Sequence, residues 1–196
     1  NVFIGLDVSL ASTAICVLGP QGKVVEELEA ASDPEALVRA MASLPYAVEA
    51  IGLEAGPLSQ WLSKGMEEAG FDVVLMETRL VKAALKAMPI KTDRRDAQGI
   101  ARLLQMGWYR PVHRKSVSSQ EIRALLTARK SVQQVIINLE LSMRGVLRNF
   151  GLKLGHVTRI RYEARVRELV EQNEILSAST EALLRARAQL RAELAE

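Results

Sequence analysis

Four carboxylates have the type and placement to do chemistry: Asp7, Glu54, Asp93 and Asp96. Asp7 closes the apolar run Val2-Phe3-Ile4-Gly5-Leu6, and Glu54 closes Ile51-Gly52-Leu53. Asp93 and Asp96 stand three apart in Lys91-Thr92-Asp93-Arg94-Arg95-Asp96-Ala97, at the expected opening of a helix. Acids gathered from two strand ends and one helix face suit a hard cation such as Mg²⁺, with Mn²⁺ as a substitute. Such an ion takes oxygen ligands in near-octahedral geometry, few from protein and the rest from water and substrate phosphates. A pair of ions of this kind stabilises both the attacking and the leaving oxygen of a phosphoryl displacement. The set points to nucleic-acid strand chemistry.

Each acid also has a structural reading. Asp7 could cap a turn into Ser9, and Glu54 could be the first-turn acid of the helix that follows. Thr92 or Asp93 could cap a helix whose dipole Asp96 would favour. The four together are more specific than any one. His113 and His156 are isolated, without cysteine or histidine at metal-ligand spacing, so zinc is not expected. No G-x-x-x-x-G-K-[ST] string occurs, which excludes a P-loop. Ser9, Ser12 and Thr13 have no nearby histidine to activate them and read as turn and strand residues.

The elements that must carry these acids follow from periodicity and punctuation. Residues 2–8, 13–18 and 23–28 read as an antiparallel meander, with a turn at Gly19-Pro20-Gln21-Gly22. Ser32-Asp33-Pro34-Glu35 starts a helix that runs to about Leu44. Strands are expected at 48–54 and 71–76, and helices at 58–69, 79–88 and from Thr92 to Met106. The first half is thus α/β, a mixed sheet with flanking helices. A boundary is placed between Pro111 and Ser119, dividing the chain into 1–115 and 116–196. Beyond it Ile122, Leu125, Val132, Ile136, Leu139, Met143, Val146 and Phe150 alternate at spacings of three and four, with Arg129 in the missing core slot. After a turn at 151–155, Leu169, Leu176, Leu183 and Leu190 recur every seven residues, with Val166, Asn173, Thr180, Arg187 and Leu194 between them. This predicts a long α-helical coiled-coil hairpin, with Asn173 in the seam fixing register or oligomeric state. The stripes could pair within one chain or between chains.

Hydrophobic residues make up 48% of the 196 positions, enough for a core. The single cysteine, Cys16, excludes an internal disulfide and fits a reducing compartment. No secretory signal or membrane-length apolar run is present, so a cytoplasmic, nucleoid-associated protein with no membrane partner is expected. The net charge of +3 hides a strong asymmetry. Residues 1–77 carry 3 basic and 12 acidic side chains, and residues 78–170 carry 20 basic and 6 acidic. A basic middle block of that length is the footprint of a polyphosphate partner.

Gly5-Leu6-Asp7-Val8-Ser9, Glu54-Ala55-Gly56 and Lys91-Thr92-Asp93-Arg94-Arg95-Asp96-Ala97 together resemble the amino-terminal part of the DEDD transposases of insertion-sequence family 110, relatives of the Piv-type DNA invertases. The resemblance implies a ribonuclease-H-like (RuvC-like) domain to about 115, followed by a coiled-coil region. It implies that Asp7, Glu54, Asp93 and Asp96 form a catalytic Mg²⁺-binding tetrad. It further implies a downstream domain, outside this chain, whose serine forms a covalent link with DNA, so the chain is expected to be part of a longer recombinase. The implied partners are insertion-sequence and target DNA, a structured guide (bridge) RNA and further copies of the chain, as homodimer or higher oligomer. Lys82, Lys86, Lys91, Arg94 and Arg95 would hold nucleic acid beside the metals. Arg114, Lys115, Arg123, Arg129, Lys130, Arg144 and Arg148 would extend that track. Leu169, Asn173, Leu176, Leu183 and Leu190 would mediate oligomerisation.

Three rivals stand beside this reading. A stand-alone metal-dependent nuclease such as a junction resolvase would nick DNA without a serine. A sugar-kinase or actin-like ATPase would need a Gly-rich second phosphate loop, which is lacking. A non-catalytic RNA-binding scaffold would be indifferent to Mg²⁺ and to acid-to-amide changes.

Overall fold

In a computed structural model the protein is described for residues 1–86 and 92–195. The chain divides into two compact units, Asn1–Lys115 and Ser116–Glu196. The first opens with the three strands β1 (Val2–Val8), β2 (Ser12–Leu18) and β3 (Val24–Ala31). Helix α1 (Pro34–Ala42), strand β4 (Val48–Glu54), helix α2 (Ser59–Glu68) and strand β5 (Val73–Met76) follow, then helices α3 (Thr78–Lys86) and α4 (Asp93–Gln105). The sheet order is β3-β2-β1-β4-β5. β2 is antiparallel to both β1 and β3, whereas β4 is parallel to β1 and β5 to β4. A five-stranded sheet in this order, with only the second strand reversed, is a ribonuclease-H-like fold.

The reasons for these elements are local. Asp33 caps α1 by accepting from the amides of Glu35 and Ala36, and Pro34 occupies the first turn. Val48 to Glu54 is a central strand whose residues 50–53 are all buried. On one face of the sheet Ile4, Leu6, Ile51 and Leu53 pack with Leu37, Met41, Leu62 and Met66 of α1 and α2. The other face is lined with small residues, Ala14 and Cys16 against Ala97 and Ala101 of α4. Expected and observed boundaries differ by one to three residues at most ends. The expected positions Met88, Pro89 and Lys91 lie outside the described residues. Among the described residues no helix is long and apolar enough to cross a membrane.

The second unit contains α5 (Val117–Asn149), α6 (Tyr162–Val170) and α7 (Glu174–Glu193). One expectation is corrected here. The heptad-bearing stretch is two helices, not one, because Asn173 is the N-cap of α7 and accepts from the Leu176 amide at 3.0 Å. Asn173 therefore ends one helix and starts the next rather than sitting in a seam, a role its short amide side chain fills well. The buried stripe of α7 is Leu176, Thr180, Leu184 and Arg187, so Leu183 and Leu190 are displaced to half-buried positions, as is Leu169 on α6. Leu176 joins Met143, Leu147, Leu154, Tyr162, Val166 and Val170 in an intrachain core. On α5, Ile136 and Met143 are buried as the periodicity predicts, but Ile122, Leu125 and Phe150 are exposed. Arg129, expected in a core slot, is exposed and donates to the Leu194 carbonyl at the C-terminal end of α7. A cation there complements the helix dipole.

Arg187 is the polar centre of this unit. It is 2% exposed, pairs with Glu140 at 2.7 Å and Glu163 at 3.0 Å, and stacks 4.5 Å from the Tyr162 ring centroid. Removing one member of a buried ion pair strands the others, at a cost of roughly 3–5 kcal/mol. Arg187→Ala is therefore expected to destabilise the chain by about that amount in urea unfolding, and Arg187→Lys to recover only part of it.

Cys16 is fully buried, and burial pushes its thiol up to about 11, with Glu27 adding to the effect. It should not react with thiol reagents until the chain unfolds. The folded state holds this proton to higher pH than the unfolded chain, whose thiol titrates near 9.0. The stabilisation is thus present below pH 9 and lost as pH rises to about 11. Denaturation midpoints of wild type and Cys16→Ala should differ in slope across that window.

Candidate active site

The sheet register places the first two acids. Leu6 of β1 lies beside Leu53 of β4, so Asp7 and Glu54 are neighbours at the carboxyl ends of two parallel strands. Parallel neighbours are about 4.8 Å apart, and equivalent positions face the same way. Alternation puts Asp7 on the face of Gly5, and Glu54 on the face of Gly52. That is the face on which α4 lies.

Glycine makes the close approach possible. A Cβ on Gly5 would fall 2.1 Å from the Ala97 carbonyl oxygen and 2.4 Å from the Ala101 amide nitrogen, both backbone atoms of α4. A Cβ on Gly52 would fall 2.6 Å from Met76 Cε and 3.3 Å from Leu104 Cδ2. Helix α4 rests directly on the strands, with Ala97 and Ala101 contributing only methyl groups. Its first turn, which carries Asp93 and Asp96, is thereby brought to the strand ends. Thr92 supplies the N-cap, accepting from the Arg95 amide at 3.3 Å, so neither aspartate is used to cap the helix.

Asp7, Glu54, Asp93 and Asp96 all line one cavity of about 760 Å³. Ser9, Lys82 and Lys86 line it too. Glu54 is partly buried and pairs with the exposed Lys82 at 3.7 Å. The loops around it are held by their own bonds. Ser9 donates to the Ser12 carbonyl at 2.6 Å, and Thr78 to that of Ala55 at 2.8 Å. Ser9, Ser12 and Thr13 are turn and strand residues, as expected. Arg94 lines a neighbouring depression with Thr92 and Asp93, and Arg95 is exposed. Of the remaining basic residues, Arg114 is ion-paired with Glu67, and Arg144 donates to the Gly155 carbonyl. Lys115 donates its backbone amide to Gln60. Arg123, Lys130 and Arg148 are exposed on α5.

The donor set is all carboxylate oxygen, which suits a hard cation. Among the described residues no three His, Cys, Asp or Glu side chains are close enough to hold an ion by themselves. A cation here would complete its shell from water and phosphate oxygens, as Mg²⁺ commonly does.

A family model for DEDD transposases of insertion-sequence family 110, described as a transposase, matches residues 4–151. The chain belongs to that family. Its first unit carries the ribonuclease-H-like sheet described above. No curated protein matches it. Among solved structures it is similar to RuvC of Thermus thermophilus, at 16% identity and a TM-score of 0.42, covering 57% of this chain and 100% of that one. A second structure of T. thermophilus RuvC, in complex with a Holliday junction substrate, is similar at the same identity and TM-score, covering 57% and 99%. A glucokinase of the ROK family from Streptomyces griseus, in complex with glucose and AMPPNP, matches at 21% identity and a TM-score of 0.32, covering 44% and 36%.

The residues missed in the transposase sequence are Gly5 and Gly52. Their signal was present, since glycine inside an otherwise ideal strand marks a close approach by another backbone. Gly5→Ala is expected to force α4 outward, destabilising the chain by roughly 1–3 kcal/mol in urea unfolding. The same shift would carry Asp93 and Asp96 away from Asp7 and Glu54 and open the cavity they line.

Proposed function

We propose that Asp7, Glu54, Asp93 and Asp96 are the catalytic acids of Mg²⁺-dependent DNA cleavage and rejoining. The observation that carries this reading is the meeting of four carboxylates, from β1, β4 and α4, at one cavity. A divalent cation bound there would withdraw charge from a phosphate and stabilise the charge that develops on it.

The chain's own residues do the rest. Lys82 and Lys86 at the rim attract a phosphodiester, and Lys82 exchanges Glu54 for phosphate at small cost because its present pair is half in water. Arg94 and Arg95 hold the backbone beyond, and Lys91, outside the described residues, adds its charge to the same stretch of sequence. A serine from a further domain attacks in line, bonding to phosphorus as a deoxyribose oxygen departs. Arg114 and Lys115 in the first unit, and Arg123, Arg129, Lys130, Arg144 and Arg148 in the second, are the cations offered to a guide (bridge) RNA. That RNA is recognised by shape and phosphate while base pairing selects the DNA. Arg114, Arg129 and Arg144 serve the fold as well, through Glu67, Leu194 and Gly155.

Homo-oligomer formation belongs to the same proposal. Its support is the row of exposed apolar side chains on the first half of α5, among them Ile122, Leu125 and Leu126. Leu169, Leu183 and Leu190, half-buried on α6 and α7, would contribute less than their spacing implies.

Asp7→Asn and Asp96→Asn in the complete transposase are expected to lower recombination by roughly 100-fold or more, the rate equivalent of several kcal/mol. Nucleic-acid binding should be unchanged, and Mn²⁺ binding followed by electron paramagnetic resonance should weaken. Recombination at the normal rate by either variant would refute the tetrad.

A further inference from the structure

The segment joining α5 to α6 has an unusual chemistry. No acidic residue occurs between Glu140 and Glu163, whereas Arg144, Arg148, Lys153, Arg159 and Arg161 all fall there. Among the described residues, Arg148, Lys153, Arg159 and Arg161 take part in none of the ion pairs that neutralise other cations of this unit. Within the segment Ile160 is 91% exposed, the most exposed large hydrophobic side chain among the described residues.

This exposure is imposed by an ordered frame. Leu154 and Tyr162 are buried, and Leu152 and Val157 pack against the same core. The Arg144 guanidinium donates to the Gly155 carbonyl at 2.9 Å, tying the loop back to α5. Between Val157 and Tyr162 the chain makes one tight turn, closed by the Arg161 amide donating to the Thr158 carbonyl at 3.1 Å. Arg159 and Ile160 are its two central residues, and Arg161 follows. Burial, and then the positive charges of Arg159 and Arg187, push the Arg191 guanidinium below its ordinary pKa. Arg159 thus stands near a second cation, Arg191.

An isoleucine held in water between two arginines, on a braced turn, has the chemistry of a duplex wedge. Proteins that bend DNA insert such apolar side chains between base steps in the minor groove while cations hold the flanking phosphates. We infer that the Thr158–Arg161 turn is a double-stranded DNA contact, with Arg159 and Arg161 on phosphates across a groove and Ile160 against a base step. An A-form RNA duplex has a wide, shallow minor groove that offers a wedge less purchase. The inference rests on the proposed nucleic-acid function but on none of the four acids.

The test is equilibrium binding of the whole chain, without divalent cation, to a mixed-sequence duplex carrying 2-aminopurine, at several salt concentrations. Wild type should raise the 2-aminopurine fluorescence as a step unstacks. Arg159→Gln with Arg161→Gln should reduce the salt-dependence slope by about 2, near 0.9 for each phosphate lost. Ile160→Ser should keep the slope, bind roughly 5- to 10-fold more weakly, as expected for losing one apolar contact, and abolish the fluorescence rise. All three side chains are exposed, so the variants should melt with the wild type. Unchanged slope and signal in the variants, absence of duplex binding by wild type, or an equal loss of RNA-duplex binding in Ile160→Ser would each overturn the inference. The wedge assay contains no divalent cation and reads binding, whereas the tetrad is tested by Mg²⁺-dependent recombination, so failure of the wedge and failure of the catalytic tetrad remain distinguishable.

Discussion

The contact of α4 with the sheet at Gly5 governs the geometry of the site. A Cβ at that position has nowhere to go, since it would meet backbone atoms rather than a side chain able to swing away. At Gly52 the α4 contact is softer, with the side-chain ends of Leu104 and Ile100, and the flexible end of Met76 of β5 fills the same space. The small side chains of Ala14, Cys16, Ala97 and Ala101 complete a tightly packed layer. Hydrophobic gain from such small groups is modest, and its value lies in proximity. A helix seated one methyl further out would carry its first turn, and two carboxylates, away from the strand ends. Thr92 finishes the arrangement as the N-cap, accepting from the Arg95 amide, so neither aspartate is used for that bond.

Charge is handled differently in the two units. At the cavity the Glu54–Lys82 pair is partly solvated and 3.7 Å long. Pairs of this kind contribute at most about 1 kcal/mol, so either partner can be released to a ligand with little loss to the fold. In the helical unit Arg187 is enclosed by Glu140, Glu163 and the Tyr162 ring. Its partners cannot be exchanged without unpacking α7. One arrangement leaves charge available, and the other uses charge to fix which helix faces meet.

Most of the first unit was legible because its signals are local. Apolar runs, Pro34 after Asp33, and the breaks at Gly70 and Gly107 mark the elements, and acids closing two such runs mark the site. The seating of α4 was not legible, because a glycine's partner across a sheet face lies about ninety residues away. In the second unit the leucine spacing misled. Leu169, Leu176, Leu183 and Leu190 are seven apart, yet the chain turns between the first two, where Asn173 caps a new helix. A period counted across a cap no longer tracks one face. The residues between the leucines proved better guides, since Val166, Thr180 and Arg187 are buried.

That change moves the surface available to another copy. Helix α5 has 33 residues, about 50 Å at 1.5 Å each, whereas α7 has 20, or about 30 Å. α7 runs antiparallel to α5, since Arg187 meets Glu140 and the Leu194 carbonyl meets Arg129. Its C-terminal end therefore stops at Arg129, and α5 continues beyond it to Val117, a further dozen residues or about 18 Å. Val117, Ile122, Leu125 and Leu126 in that stretch are all exposed. Packing with α6 and α7 consumes the second half of the α5 stripe and leaves the first half uncovered. An oligomer of the kind proposed would draw its apolar contact from these first turns of α5, with the leucine repeat of α7 already committed within the chain.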